Sequence, residues 1–236
     1  MTSEPEIHPV QAGILKVLIF AHEARFSDLN TTGLSTDHFT FHVKRLADNG
    51  LIEKLENGNY RLTTAGKEFA NRFDSDTAEA MKIERQAKLG VRILPIRKNG
   101  DRIEYLLDQR LKQPYYGFYG FLGGKMKWGE TIYEAAAREL KEESGLEADL
   151  TLKSIKHKMD YTPDNKILED KFFFRFRGDN VRGEFIDSYP GGRSVWLTKE
   201  EIQKLPDLFP DVLEGMESME REGIAYEENK YTAEGY

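Results

Sequence analysis

Cysteine is absent from this chain of 236 residues. That excludes disulfides, thiolate-bound zinc and a cysteine nucleophile, and it accords with a reducing, cytoplasmic setting. No apolar run approaches the roughly 18 residues that a membrane span needs, so no membrane partner is expected. The first residues, MTSEPEIHPV, lack a basic stretch followed by an apolar one, so no secretory signal is expected. An excess of positive charge is lacking too. Lys and Arg number 34 against 41 Asp and Glu, a net charge of −7. This argues against an extensive nucleic-acid surface and suits carboxylates that hold divalent cations. Hydrophobic residues make up 39% and aromatic residues 11%, enough for a core in one large domain or two small ones.

The first part of the chain has helical periodicity. PVQAGILKVLIFAHE places Val10, Ile14, Val17, Leu18 and Ala21 at helical spacing. RFSDLN suggests a short helix. TDHFTFHVKRLADNG puts Phe39, Val43 and Leu46 on one face and closes at Asn49-Gly50. LIEKLENGNYRLT alternates around Asn57-Gly58, a two-residue hairpin signal, and TAGKEFANRF reads as a further helix. Helices followed by a hairpin in this order resemble a winged helix-turn-helix domain, expected over residues 1–74. Residues 75–87 are polar and helix-prone and read as a helical linker.

From residue 88 the period changes. LGVRILPIRK and RIEYLLDQRL read as strands joined at Asn99-Gly100. TLKSIKHKMDY, KFFFRFRG and SVWL read as further strands, and TKEEIQKL and DVLEGMESMERE as helices. The tail AYEENKYTAEGY is polar and reads as disordered. Strands and helices mix without strict alternation, which predicts a mixed α/β sandwich over 88–236.

Between the strands stands GGKMKWGETIYEAAARELKEESGL, residues 123–146. Thr131 is placed to cap a helix, with Glu134 completing a capping box. Ile132, Ala135, Ala136 and Leu140 form an apolar stripe. Glu139, Glu142 and Glu143 fall at i, i+3 and i+4, so they share one helical face. A divalent cation relieves their repulsion, and hard oxygen ligands suit Mg²⁺ or Mn²⁺. Gly145 reads as the helix stop. Gly123 and Gly124 allow a tight turn and close approach of the backbone to a metal or phosphate.

The spacing is Gly124, five residues, Glu130, seven residues, Arg138-Glu139-Leu140, one residue, Glu142-Glu143, one residue, Gly145-Leu146. This resembles the whole signature of the Nudix hydrolase family, matching every defined position. At residue frequencies near 5–7%, seven fixed positions match by chance on the order of once in a billion starts. The resemblance implies a Nudix-type α/β/α sandwich with a mixed sheet. It implies Mg²⁺- or Mn²⁺-dependent hydrolysis of the diphosphate bond in a nucleoside diphosphate linked to another group. Glu139, Glu142, Glu143 and Gly124 would hold the metal, and Glu130 would pair with Arg138. The general base would be Glu139, with Glu169 and Asp170 as alternates.

Gly123, Gly124, Lys125, Phe121 and Tyr119 are candidate substrate contacts. QPYYGFYGFLGGKM is aromatic-rich, which suits either purine stacking or core packing. GFLGGK is similar to the segment of family members that act on purine nucleoside triphosphates, oxidised ones included. YPGGRSVWL offers Arg193 as a further contact or a strand-entry turn. The alternative function is a nucleotide-sensing transcription regulator, its winged helix touching DNA through residues 36–45 and a wing at 52–63. Against that, residues 1–88 carry 11 Lys and Arg and 13 Asp and Glu, a net of 11 − 13 = −2. His38 and His42, at i and i+4, are also spaced for a metal. By analogy with both domain types, a homodimer is expected.

Overall fold

The computed structural model describes residues 7–70 and 86–233. The chain forms two compact units, Met1–Arg85 and Gln86–Tyr236. The helical linker expected over 75–87 lies outside the described residues, apart from its last two positions. Among the described residues, no helix is long and apolar enough to cross a membrane.

In the first unit, helices α1 (Pro9–Ile19), α2 (Phe26–Leu29) and α3 (Thr36–Asp48) precede strands β1 (Ile52–Lys54) and β2 (Tyr60–Leu62) and helix α4 (Thr64–Ala70). Pro9 occupies the first helical turn, where its missing N–H is no loss. The side chain of His8 caps that end. Ile14, Leu15 and Leu18 of α1 meet Phe39, Val43 and Leu46 of α3 in one buried cluster with Leu29 and Leu62. β1 and β2 pair antiparallel around Gly58, whose φ of 85° suits the tight turn.

The second unit is built on one mixed sheet. Its strands are β3 (Lys88–Asn99), β4 (Arg102–Arg110), β5 (Tyr119–Gly120), β6 (Leu146–Tyr161), β7 (Ile167–Gly183), β8 (Ser188–Tyr189), β9 (Gly192–Leu197) and β10 (Ala225–Thr232). Helix α5 (Ile132–Ser144) follows β5, and α6 (Lys199–Ile202) and α7 (Val212–Glu220) lie between β9 and β10. The strand order is β10-β6-β7-β3-β4-β9-β8, with β5 beside β4. β3 pairs parallel with β7 over its first part and antiparallel with β4 over its last.

Side-chain alternation assigns the two faces. Ile93, Leu106, Leu122 and Phe176 pack with Ala135, Ala136 and Leu140 of α5. Their sequence neighbours Leu94, Leu107 and Phe121 pack with Ile202, Val212, Met216 and Met219 on the other side. The helices thus cover opposite faces of the sheet.

The tail corrects the sequence reading. Residues 225–232, expected to be disordered, form β10, which pairs parallel with β6 from Ala225–Ser154 to Thr232–Tyr161. Its polar side chains find partners far away in sequence. The Asn229 amide oxygen accepts from Lys156 Nζ, and Glu227 accepts from Arg175.

Helix α5 starts as its sequence requires. The Thr131 side chain accepts from the Glu134 N–H, and the Glu134 carboxylate accepts from the Thr131 N–H at 2.8 Å. Gly145 ends it in the left-handed region at φ 70°. Thr131→Ala is expected to cost about 1 kcal/mol. A shift of the urea midpoint at unchanged slope would register that cost, and no shift would show that the cap is dispensable.

Candidate active site

Glycines let two backbone segments and a carboxylate close on one another. On one side the first part of β3 pairs with β7. On its other side runs the stretch 122–125, through Ile93 N–H to the Leu122 carbonyl (2.8 Å) and Val91 N–H to the Gly124 carbonyl (2.9 Å). Gly123 has φ 127°, and a Cβ there would run into the Val91 carbonyl. A Cβ on Gly124 would sit 2.5 Å from Glu139 Oε1. The Glu139 carboxylate therefore lies against the bare backbone of this loop.

Arg138 gathers the surrounding carboxylates. Its Nε and Nη2 donate to the two oxygens of Glu130 at 2.5 and 2.9 Å. Its Nη1 donates to Glu139 at 2.7 Å and Glu142 at 3.2 Å, and Nη2 also reaches the Lys125 carbonyl at 3.2 Å. This bidentate geometry is strong and directional. Hydrogen bonds from Arg138 and from the Lys127 N–H push the Glu130 carboxyl down to about 2. The same contact with Glu130 raises the Arg138 guanidinium. Glu142 is the open member of the set, its side chain 53% exposed, with Lys127 Nζ at 3.5 Å.

Glu143 lies deeper. Its Oε2 accepts from the Gly123 N–H at 2.7 Å and its Oε1 from the Tyr189 hydroxyl at 3.0 Å. Burial pushes it up to about 7, and Asp108 and Glu139 add to the rise. Asp108, on β4, faces the same hydroxyl and is pushed up to about 6, chiefly by burial. Its Oδ1 is buried and has no hydrogen-bond partner among the described residues. Burial and the two carboxylates also raise the Tyr189 hydroxyl.

These features fit a divalent cation. The donors are all oxygen, negative charge is packed beyond what the local hydrogen bonds satisfy, and Gly124 leaves a cradle that a Cβ would fill. Among the described residues no three acidic or histidine side chains are grouped to hold a metal ion as they stand. Arg138 instead engages Glu139 and Glu142. Such a site suits an ion that keeps several waters, as Mg²⁺ does.

The structure thus brings together Gly123, Gly124, the Lys125 carbonyl, Glu130, Arg138, Glu139, Glu142 and Glu143. Phe121 does not join them as an open platform. It is 7% exposed and packs in the core beneath α7, beside Gly215. Tyr119 lies on β5, tied through its backbone to Asp207 and Phe209. Glu169 pairs with Lys88 at 2.5 Å and Asp170 with His157 at 2.9 Å, both on β7. Arg193 is exposed on β9, opposite Gln109.

Sequence reasoning missed Asp108, Tyr189 and Phe209. The one signal for Asp108 was a carboxylate inside the apolar run of β4. Tyr189 opens the segment YPGGRSVWL, where Arg193 is the residue singled out, and Phe209 gave no signal. Phe209 completes an aromatic trio with Tyr115 and Phe118, at centroid distances of 5.1 to 5.6 Å, all three partly exposed.

The family model described as NUDIX domain matches residues 87–216. An oxidized purine nucleoside triphosphate hydrolase of Danio rerio is 37% identical over 90 residues, covering 38% of this chain and 53% of that protein. Putative nudix hydrolase 1 of Caenorhabditis elegans is 31% identical over 121 residues, covering 49% of this chain and 33% of that protein. The chain therefore spans about half the length of the first relative and a third of the second. Among solved structures, a MutT protein of Bacillus halodurans superposes with a TM-score of 0.52 at 26% identity, covering 63% of this chain and 93% of that one. The NUDIX domain of Shewanella oneidensis NrtR, complexed with ADP ribose, superposes with a TM-score of 0.51 at 16% identity, covering 66% and 96%. That second likeness is one of fold alone.

Proposed function

The chain belongs to the Nudix hydrolase family, and from that premise we propose that it hydrolyses the diphosphate bond of a nucleoside diphosphate linked to another group. Glu139, Glu142 and Glu143, with the Gly124 carbonyl, would hold Mg²⁺ or Mn²⁺. When bound, such an ion neutralises the phosphates and lowers the pKa of a water. Arg138, anchored by Glu130, fixes the orientation of Glu139 and ties the loop to the helix through the Lys125 carbonyl. Glu139 is the base that receives the proton of the attacking water. Its place against the bare Gly124 backbone, on the same helix as Glu142 and Glu143, favours it over Glu169 and Asp170, which lie on β7. The Gly123 and Gly124 backbone and the exposed Lys125 ammonium face the substrate phosphates.

The observation that carries this reading is the convergence of one guanidinium, three helix carboxylates and a glycine pair. Chelation tests it. EDTA is expected to reduce nucleotide hydrolysis to background, and added Mg²⁺ or Mn²⁺ to restore it. Undiminished turnover in EDTA would contradict a metal-dependent site.

A purine nucleotide is the substrate class we favour. The Danio rerio relative is named for oxidized purine nucleoside triphosphates, and the Tyr115, Phe118 and Phe209 rings offer a partly exposed surface for a base. For the first unit we propose a winged helix. Thr36, His38, Thr40, Lys44 and Arg45 stand exposed on α3 and would face a major groove in a dimer. An electrophoretic shift with DNA at low salt tests this, and its absence would leave the unit an accessory domain.

A further inference from the structure

One cation on the sheet face opposite α5 stands apart from its neighbours. Lys156, Lys158, Lys171 and Arg175 each lie in a carboxylate ion pair, with Glu227, Asp211, Asp160 and Asp211 respectively. Arg92 has no such pair among the described residues. Its Nη1 donates to the adjacent Val91 carbonyl at 3.0 Å, and its other guanidinium nitrogens make no hydrogen bond among those residues. Nor are those nitrogens sealed from solvent, because none is a buried unpartnered atom and Arg92 is only half-buried.

The guanidinium is nevertheless held in place. It lies over the Phe173 ring, 4.1 Å from the centroid. Phe173 is itself buried and packs against Gly90, where an added Cβ would sit 3.3 Å from the ring. Val91 and Ile93 point into the α5 core, so Arg92 points to the opposite face. Its Cα abuts Gly123, close enough that a Cβ on that glycine would sit 3.2 Å away. Burial and the Arg110 cation work against the charge of Arg92, while Glu143, Asp211 and Glu139 support it. It thus stands within electrostatic reach of both the α5 carboxylates and Asp211.

A half-buried guanidinium that gives up part of its hydration and gains no carboxylate partner is unfavourable. Leucine in its place would cover Phe173 without that cost, so packing does not account for arginine. Arginine suits a planar fork for phosphoryl oxygens, pre-set by an aromatic stack. We propose that Arg92, laid flat on Phe173, binds an anionic phosphoryl group of the substrate beside the scissile diphosphate bond. This rests on the diphosphate-hydrolase reading above.

The test is calorimetric binding of inorganic pyrophosphate, ADP and adenosine to the full chain in Ca²⁺, for wild type, Arg92→Leu and Arg92→Lys. Arg92→Leu is expected to weaken pyrophosphate and ADP at least about 10-fold and to leave adenosine unchanged. Arg92→Lys should fall between, because it keeps the charge and loses the fork. The unfolding midpoint of Arg92→Leu should be unchanged or higher. In turnover of any nucleotide that wild type hydrolyses, KM should rise at least about tenfold and kcat change less.

Equal weakening of ADP and adenosine would make Arg92 a base platform and overturn the assignment. So would a lowered midpoint rescued by lysine, which marks a structural role. Wild-type KM and pyrophosphate affinity in Arg92→Leu would overturn it and leave the hydrolase reading standing. A wild type that neither binds nor hydrolyses any nucleotide would overturn both.

Discussion

Glu142→Gln is expected to lower metal-dependent nucleotide hydrolysis by about 10²–10³-fold while leaving the fold intact. Glu142 separates chemistry from stability well. Its side chain is 53% exposed, and it touches Arg138 at 3.2 Å and Lys127 at 3.5 Å. Exposed pairs of this kind contribute little to stability. Glutamine keeps the shape and the hydrogen-bonding oxygen but removes the negative charge that a divalent cation requires. The expected signature is a large loss of turnover, a raised Mg²⁺ requirement and an unchanged urea midpoint. Turnover within twofold of wild type would remove Glu142 from the metal site. Glu143→Gln is a less clean probe, since that carboxylate also holds the Gly123 N–H and the Tyr189 hydroxyl.

The largest effect on stability is expected at Asp211, which sits over the cations of the sheet face opposite α5. Its Oδ1 accepts from Lys158 at 3.0 Å and its Oδ2 from Arg175 at 2.5 Å, and the Arg175 side chain has no exposure. Burial alone would raise this carboxyl, but Lys158, Arg175 and Arg92 outweigh it and hold it well below the usual range. Removing one partner of a buried pair strands the other charge, which costs about 3–5 kcal/mol. Asp211→Ala is therefore expected to lose stability on that order in urea unfolding. The pH dependence has a fixed sign. Because the folded-state pKa is depressed, the contribution is full above the unfolded value of about 3.9 and is lost as pH falls through the lower folded value. The gap between wild type and Asp211→Asn should close only below about pH 4. A cost under about 1 kcal/mol at pH 7 would show that solvent reaches these cations in place of Asp211.

Local interactions explain why much of this fold was legible in the sequence. The cap, apolar stripe, glutamate face and glycine stop of α5 all follow from spacings of three and four residues, and each is present. The alternation around Asn57-Gly58 and Asn99-Gly100 placed the β1–β2 and β3–β4 hairpins. Long-range pairing was not legible. The stretch 225–232 carries no apolar alternation, and only β6 and the cations Lys156 and Arg175 make it a strand. KHKMDY and KFFFRFRG read as strands, yet their basic residues would be placed toward water by the usual alternation. Lys156 and Arg175 are buried instead, because Asp211 and Glu227 lie over them. Asp108 and Tyr189 meet Glu143 only after β4, α5 and the β8–β9 turn have come together, which no local spacing encodes.

The central claim, hydrolysis of a nucleotide's diphosphate bond, is tested most directly by product analysis in ¹⁸O-labelled water with Mg²⁺. The panel should span nucleoside triphosphates, oxidised purine nucleotides, ADP-ribose, dinucleoside polyphosphates and sugar nucleotides. The predicted result is a nucleoside monophosphate and a second phosphorylated product in equal amounts, one of them carrying a single ¹⁸O, with the reaction lost in Glu142→Gln. No turnover of any member with Mg²⁺ or Mn²⁺, or release of orthophosphate alone, would contradict it.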